Sequence, residues 1–344
     1  MVKMKIKKTD SASERNALVD NVKGLVIIFF IVTNVYFLAN LTFKMPEWSI
    51  HEGDVNGIPL WSYLNFSLMD LGPAIFFFLI GLTVFPTFSR HTVRDGSRAA
   101  YKRFFMRNMT IVGIFCTITF IKSKLLKEIN GATEHDWDTI QSIGFTGVLL
   151  TPFLFGFMRR HAWARVLAGL GVLVLFQLFH KEINIFHSYQ GGLAACVGYL
   201  GIVLVSSALG DAMRKGIIAY AAASLLLAGA AVLSDRFFGK AAFFEDYNTT
   251  YMLMAATFIN TVYFAFYVID KLVLKGRRIP VLSSMGRNLF LYLLISLAVM
   301  AVTMIFLADV PLNQTRLLLL EIGVVAAYLL LGIFLEKKNI TFKL

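Results

Sequence analysis

Ten stretches of this chain are long and apolar enough to cross a bilayer, and that pattern leaves few folds open. They run at about 21–43, 61–86, 107–122, 139–158, 163–180, 188–210, 216–234, 250–270, 282–307 and 314–335. A hydrocarbon core about 30 Å thick takes roughly 20 helical residues. Lipid offers no partner to an open backbone group, so each crossing must satisfy its N–H and C=O groups internally. Periodicity does not separate helix from strand in such runs, but length does, because barrel strands are shorter and alternate. The expected fold is an all-α integral membrane protein, about ten transmembrane helices in one bundle. Composition agrees: 57% of the 344 residues are hydrophobic and 16% charged, against about 45–50% and about 25% in soluble domains. A soluble enzyme, a disordered chain and a disulfide scaffold are excluded.

The net charge of +12 would fit nucleic acid only on a solvated basic face. Here the basic residues fill short gaps between apolar runs, where they set orientation. With the N-terminus inside, the inner segments hold 24 basic and 7 acidic residues, and the outer segments 8 and 12. That asymmetry puts both termini in the cytoplasm. No nucleic-acid partner is expected, and the surplus of cations is left to anionic lipid headgroups. Residues 1–20 read as a basic cytoplasmic tail leading into an uncleaved first span, and 21–344 as one polytopic membrane domain. Cys116 and Cys196 both lie in apolar runs, and no Cys or His cluster has metal-ligand spacing, so no metal site is expected.

Charges inside the membrane are costly and usually face a partner, water or the bundle interior. Three lie more than a turn from either end of a run: Asp70, Arg287 and Glu321. Asp70 stands roughly 13 Å below the outer surface, directly before Gly72 and Pro73. Asn34 lies at a similar depth from the other side, so the two are expected to meet near midplane. Arg287 and Glu321 leave two readings open, a functional group or a satisfied ion pair between helices.

Four stretches, taken in order, resemble the heparan-α-glucosaminide N-acetyltransferase-like family of transmembrane acyltransferases. The first is Asp20 to Leu25 (DNVKGL) with Asn34 ten residues after Gly24; the family has Asp-x-x-Arg-Gly and an intramembrane Asn at that spacing. The second runs from Asp70 through Pro73 and Phe78 to Gly81. The third is Asp138 to Gly144 (DTIQSIG), and the fourth Met285 to Tyr292 (MGRNLFLY) with the closing tail from Glu336.

The resemblance implies that cytoplasmic acyl-CoA, acetyl-CoA foremost, gives its acyl group to an amino or hydroxyl group of an extracytoplasmic glycan or lipid-linked acceptor. Asn34 and Asp70 are then the candidate catalytic residues, and Lys23, Gln141, Arg287 and Asn288 the candidate donor-binding ones. Two positions depart from the family: Lys23 stands for its Arg and Ser142 for the Arg after its Gln. Lys lacks the bidentate fork of Arg. A third departure is larger, since the family's catalytic histidine falls at Leu60, which cannot accept a proton. His51 in the preceding loop is the candidate replacement base. The alternative is a divergent member that transports, flips or binds a lipid-linked or acylated molecule. A bacterial cytoplasmic membrane is the expected location, and a homodimer a candidate assembly.

Overall fold

An apolar run stays one helix until something interrupts its hydrogen-bond ladder, and the interruptions decide the elements of this chain. The computed structural model describes residues 17–43, 71–130, 139–183, 192–239, 241, 248–307 and 314–342. Among the described residues the regular elements are all helical. They are α1 (Ala17–Phe43), α2 (Leu71–Asp95), α3 (Ser97–Asn130), α4 (Thr139–Leu150), α5 (Gly156–Arg160), α6 (Ala162–Ile183), α7 (Gly192–Lys215), α8 (Ile217–Phe238), α9 (Thr249–Ile269), α10 (Pro280–Arg287), α11 (Leu289–Leu307) and α12 (Gln314–Lys337). Among the described residues, seven helical segments are long and apolar enough to cross a membrane: α2, Ser97–Ile121 of α3, Ala162–Phe179 of α6, α7, α8, Thr249–Leu274 and Leu318–Lys337 of α12.

Four expected boundaries move, each for a local reason. The run at 107–122 lies within a 34-residue helix, because Arg98 to Arg107 are good helix formers with no breaker among them. Gly96, at φ 83°, makes the turn before it. The run at 139–158 is not one helix. Pro152 lacks an N–H, and the chain tightens into a 3₁₀ turn over Thr151–Leu154, then extends at Phe155 before α5. The run at 282–307 breaks at Asn288, between α10 and α11. The eighth run continues past α9 as a π turn over Asp270–Leu274, closed by Lys275 at φ 50°.

The contacts of the chain fall into two compact units, one of residues 49–261 and one of residues 1–48 with 262–344. In the first, α7 is the central helix and packs against α2, α4, α6 and α8. Its burial follows from its small residues, which let neighbouring backbones come close. Gly81 of α2 lies against Val203 and Ser206 of α7, where any Cβ would collide with the Val203 carbonyl. Phe77 stacks on Tyr199 with ring centroids 4.0 Å apart. Arg165 of α6 is fully buried: it pairs with Asp211 of α7, donates to Ser207 Oγ at 3.2 Å and lies over the Phe85 ring at 4.3 Å. Tyr220 of α8 donates to Asn260 Oδ1 of α9 at 2.8 Å, and Thr249 at the start of α9 donates to the Leu173 carbonyl of α6 at 2.6 Å.

Outward faces are as apolar as inward ones. Ile218, Leu225, Leu226, Val232 and Leu233 of α8 and Leu318, Leu319, Ile322, Leu330 and Phe334 of α12 are all exposed. Soluble monomers rarely show such continuous apolar surface, and hydrocarbon is the solvent that suits it. The protein is a multi-pass helical membrane protein.

Close approach at Gly81 gives a test. Gly81→Ala should lower stability by about 1–3 kcal/mol through overpacking. Gly113→Ala on α3, where a Cβ meets nothing within 4 Å, should be neutral or stabilising by up to about 1 kcal/mol. Thermal unfolding of both variants in one detergent compares them; equal effects would refute the close-packed contact.

Candidate functional site

The unit formed by the two ends of the chain is built on a crossing of α1 with α10. A Cβ on Gly24 would overlap the Leu282 carbonyl, and one on Gly286 would overlap the Asp20 carbonyl. Each helix thus places a glycine beneath a backbone carbonyl of the other, one turn apart on both. Asn21 strengthens the crossing: its Nδ2 donates to the Arg277 carbonyl at 3.3 Å and its Oδ1 accepts from the Ile279 N–H at 3.1 Å. These two bonds cap the segment that leads into α10, where the N–H groups of the first turn have no helical partner.

The break after α10 is held from two sides by Asn288, a fully buried residue. Its Nδ2 donates to the Ser284 carbonyl at 2.9 Å and to the Ile340 carbonyl at 3.2 Å, while its Oδ1 accepts from the Phe342 N–H at 2.7 Å. The chain after α12 returns through Asn339 at φ 56° and so lies along the break. Arg287 donates through Nε to the Ser283 carbonyl at 3.2 Å and pairs through Nη2 with Glu336 of α12. Of the two readings that the sequence leaves open for Arg287, the ion pair is the one present. Tyr292 donates to the Tyr328 carbonyl, and Tyr328 to Ser296 Oγ, both at 3.2 Å. These tyrosines join Ile27, Ile31, Met285 and Leu335 in the apolar core of this unit.

Three of the candidate donor-binding residues therefore stand in one unit: half-buried Lys23 beside Gly286, then Arg287 and Asn288. Gln141 is in the other unit. It is buried on α4 and donates to Cys116 Sγ of α3 at 3.4 Å. Three residues along, Gly144 packs on Ile111 and Val112 of α3. Asn34 falls on α1. Asp70, His51 and Leu60 lie outside the described residues, and with them the expected meeting of Asn34 with Asp70. Glu321 is half-buried on α12.

Sequence reasoning passed over Asn21 and Glu336, whose side chains hold α10, and Arg165 with Asp211. The last pair carries a readable signal: opposite charges sit at the same expected membrane face, at the start of one apolar run and just past the end of another. Nothing comparable marks Asn21, since its partners are backbone groups. No protein-family model matches the chain, and no curated protein matches it.

Asn288 makes three hydrogen bonds without solvent, and loss of its side chain leaves their partners open. Asn288→Ala should cost about 3 kcal/mol and release the residues after α12. Melting temperature reads the first effect, and carboxypeptidase trimming of the C-terminus in native detergent reads the second. A tail that stays resistant in the variant would show that Asn288 does not hold it.

Proposed function

We propose that this chain is a membrane acyltransferase-like protein that moves an acyl group from cytoplasmic acyl-CoA to an extracytoplasmic glycan or other amino or hydroxyl acceptor. The observation that carries the reading concerns the four stretches that resemble the transmembrane acyltransferases. Each contributes one glycine at a close helix contact: Gly24 and Gly286 in one unit, Gly81 and Gly144 in the other. Residues that match at a distance in sequence thus do structural work in each stretch, which is what a shared fold requires.

In this reading the chain crosses ten times with both ends in the cytoplasm. To the seven long apolar helices it adds α1, α4 with its 3₁₀ turn, and the broken pair α10 and α11. The basic inner segments draw the phosphates of the donor. The acceptor nitrogen or oxygen attacks the thioester carbonyl, the C–S bond breaks and the CoA thiolate leaves, while a base takes the acceptor's proton. Asn34 donates a hydrogen bond to the carbonyl oxygen as charge develops on it. Asp70 orients partners from the next span, and His51 takes the proton in place of Leu60. Lys23 and Gln141 serve the donor directly. Arg287 and Asn288, already bonded to Glu336 and the chain end, hold α10 in place for it. The proposed setting is a bacterial cytoplasmic membrane.

Leu60 favours a second reading, in which the protein binds, flips or transports an acylated or lipid-linked molecule without transfer chemistry. Purified protein in detergent separates the two. Both readings expect acyl-CoA binding that weakens about tenfold, ~1.4 kcal/mol, in Asn34→Ala. Only the first expects release of the acyl group, lost in His51→Ala. Absence of binding to any acyl-CoA would overturn both readings; release that survives His51→Ala would remove His51 as the base.

A further inference from the structure

Basic side chains at one end of the unit of residues 49–261 fall into two groups. Arg94 and Arg103 both pair with Asp95, and both also meet His91 Nδ1, at 3.0 and 3.4 Å. Arg165 and Arg214 both pair with Asp211. Two carboxylates thus hold four guanidinium groups. Arg98, Lys102, Arg159 and Arg160 are different: among the described residues none of them forms an ion pair or a side-chain hydrogen bond. Asp95 is the one carboxylate in residues 86–110, and residues 151–166 have none. The positive surplus is therefore local, at a definite place in the fold.

Aromatic rings bring the two segments that carry these four cations together. On α3, Arg98, Tyr101, Lys102 and Phe105 follow at positions i, i+3, i+4 and i+7, so they share one face. Tyr101 stacks on Phe105 with centroids 6.5 Å apart and meets Phe155 at 4.6 Å. Phe155 also lies edge-on to Phe88 of α2 at 6.1 Å. The α5 turn therefore starts on the face of α3 that carries Arg98 and Lys102. Arg159 and Arg160 follow Phe155 within roughly 10 Å of backbone. Phe157 and Trp163 are exposed beside them and meet nearly at right angles, centroids 5.3 Å apart, with His161 against Phe157 at 4.3 Å. We propose that this surface, Arg98 and Lys102 of α3 with Arg159 and Arg160 after Phe155, docks the headgroup phosphates of anionic phospholipid, with Phe157 and Trp163 beside the upper acyl chains.

Charge and ring chemistry together select that occupant. Three of the four cations are arginines, whose planar fork meets phosphate oxygens in pairs. Exposed Trp next to exposed Arg and Lys suits the boundary between headgroups and hydrocarbon, where rings take the apolar depth and the cations reach the phosphates. A zwitterionic headgroup brings its own cation, which four unpaired cations repel, whereas an anionic one answers them directly. A soluble anion would meet the charges but gain nothing from Phe157 and Trp163. Coenzyme A, whose phosphates the acyl-transfer reading brings to basic segments, is thus the competing occupant and an arm of the test. The proposal itself is independent of that reading and of which end of the unit faces the cytoplasm.

Purified full-length protein in a neutral maltoside detergent provides the test, titrated with phosphatidylglycerol or phosphatidylcholine while the melting temperature is followed. Phosphatidylglycerol should raise it saturably by a few degrees, and phosphatidylcholine should not. One basic residue at an anionic surface contributes about fivefold in affinity. Arg98→Gln with Lys102→Gln, and separately Arg159→Gln with Arg160→Gln, should each raise the half-saturating concentration about twenty-fivefold. None of the four is paired within the protein, and either double variant alone carries the test if the other does not fold. Arg236→Gln, at the other end of α8, should titrate like the unchanged protein. Phosphatidylglycerol brominated high on its acyl chains should quench less emission in Trp163→Phe than in the unchanged protein. Equal responses to the two lipids, or an unchanged titration in both double variants, would overturn the proposal. So would a response to inorganic phosphate or coenzyme A equal to that with phosphatidylglycerol, which would assign the cations to a soluble anion. Failure here leaves the Asn34 test of acyl-CoA binding as it stands.

Discussion

Helices that face hydrocarbon gain little by hiding apolar surface from it, so close approach of backbones has to hold them together. That constraint explains which residues matter here. α7 is central to its unit because its small residues admit neighbours on several sides, with Gly81 of α2 against it at Val203. In the other unit the same requirement is met reciprocally, Gly24 under Leu282 and Gly286 under Asp20. Bulky residues such as Leu225 and Leu226 of α8 and Leu330 and Phe334 of α12 are left exposed instead, where lipid accepts any shape. A chain with 57% hydrophobic residues is therefore ordered by its smallest side chains rather than its largest.

Close packing leaves little room for water, which fixes how charges can be carried. Arg165 is buried with Asp211, Ser207 and the Phe85 ring around its guanidinium. Arg287 is handled alike, with Glu336 and the Ser283 carbonyl. Removing one member of a buried pair leaves the other uncompensated, whereas replacing both with apolar residues is far milder. Such pairs therefore specify which helices are neighbours more than they add stability.

The apolar runs were legible in the sequence because length alone announces them. Where helices stop was less so. Asn288 ends α10 by bonding backbone groups at Ser284, Ile340 and Phe342, two of which lie more than fifty residues away. No local pattern encodes that. Pro152 stands inside the apolar run at 139–158, and its missing N–H ends the regular helix there. The candidate site was legible to a similar extent. Residue type singled out Arg287 and Asn288, but their partners show them to be bonded within the fold.

Resemblance itself takes a different weight once these contacts are known. A motif such as Asp20-x-x-x-Gly24 can match because chemistry needs its residues or because packing does. Here the glycine is fixed by the Leu282 carbonyl, and the aspartate supplies the backbone oxygen that Gly286 receives. Gly81 and Gly144 are fixed in the same manner. The matching glycines therefore speak for a fold in which these helices cross, and a fold hosts many functions. In the proposed reading, chemistry rests on Asn34 and Asp70, with Leu60 standing where the resemblance implies a base. A protein that kept the crossings while changing the base would retain every glycine contact seen here, so the identity of the residue that accepts the proton separates transfer from mere binding.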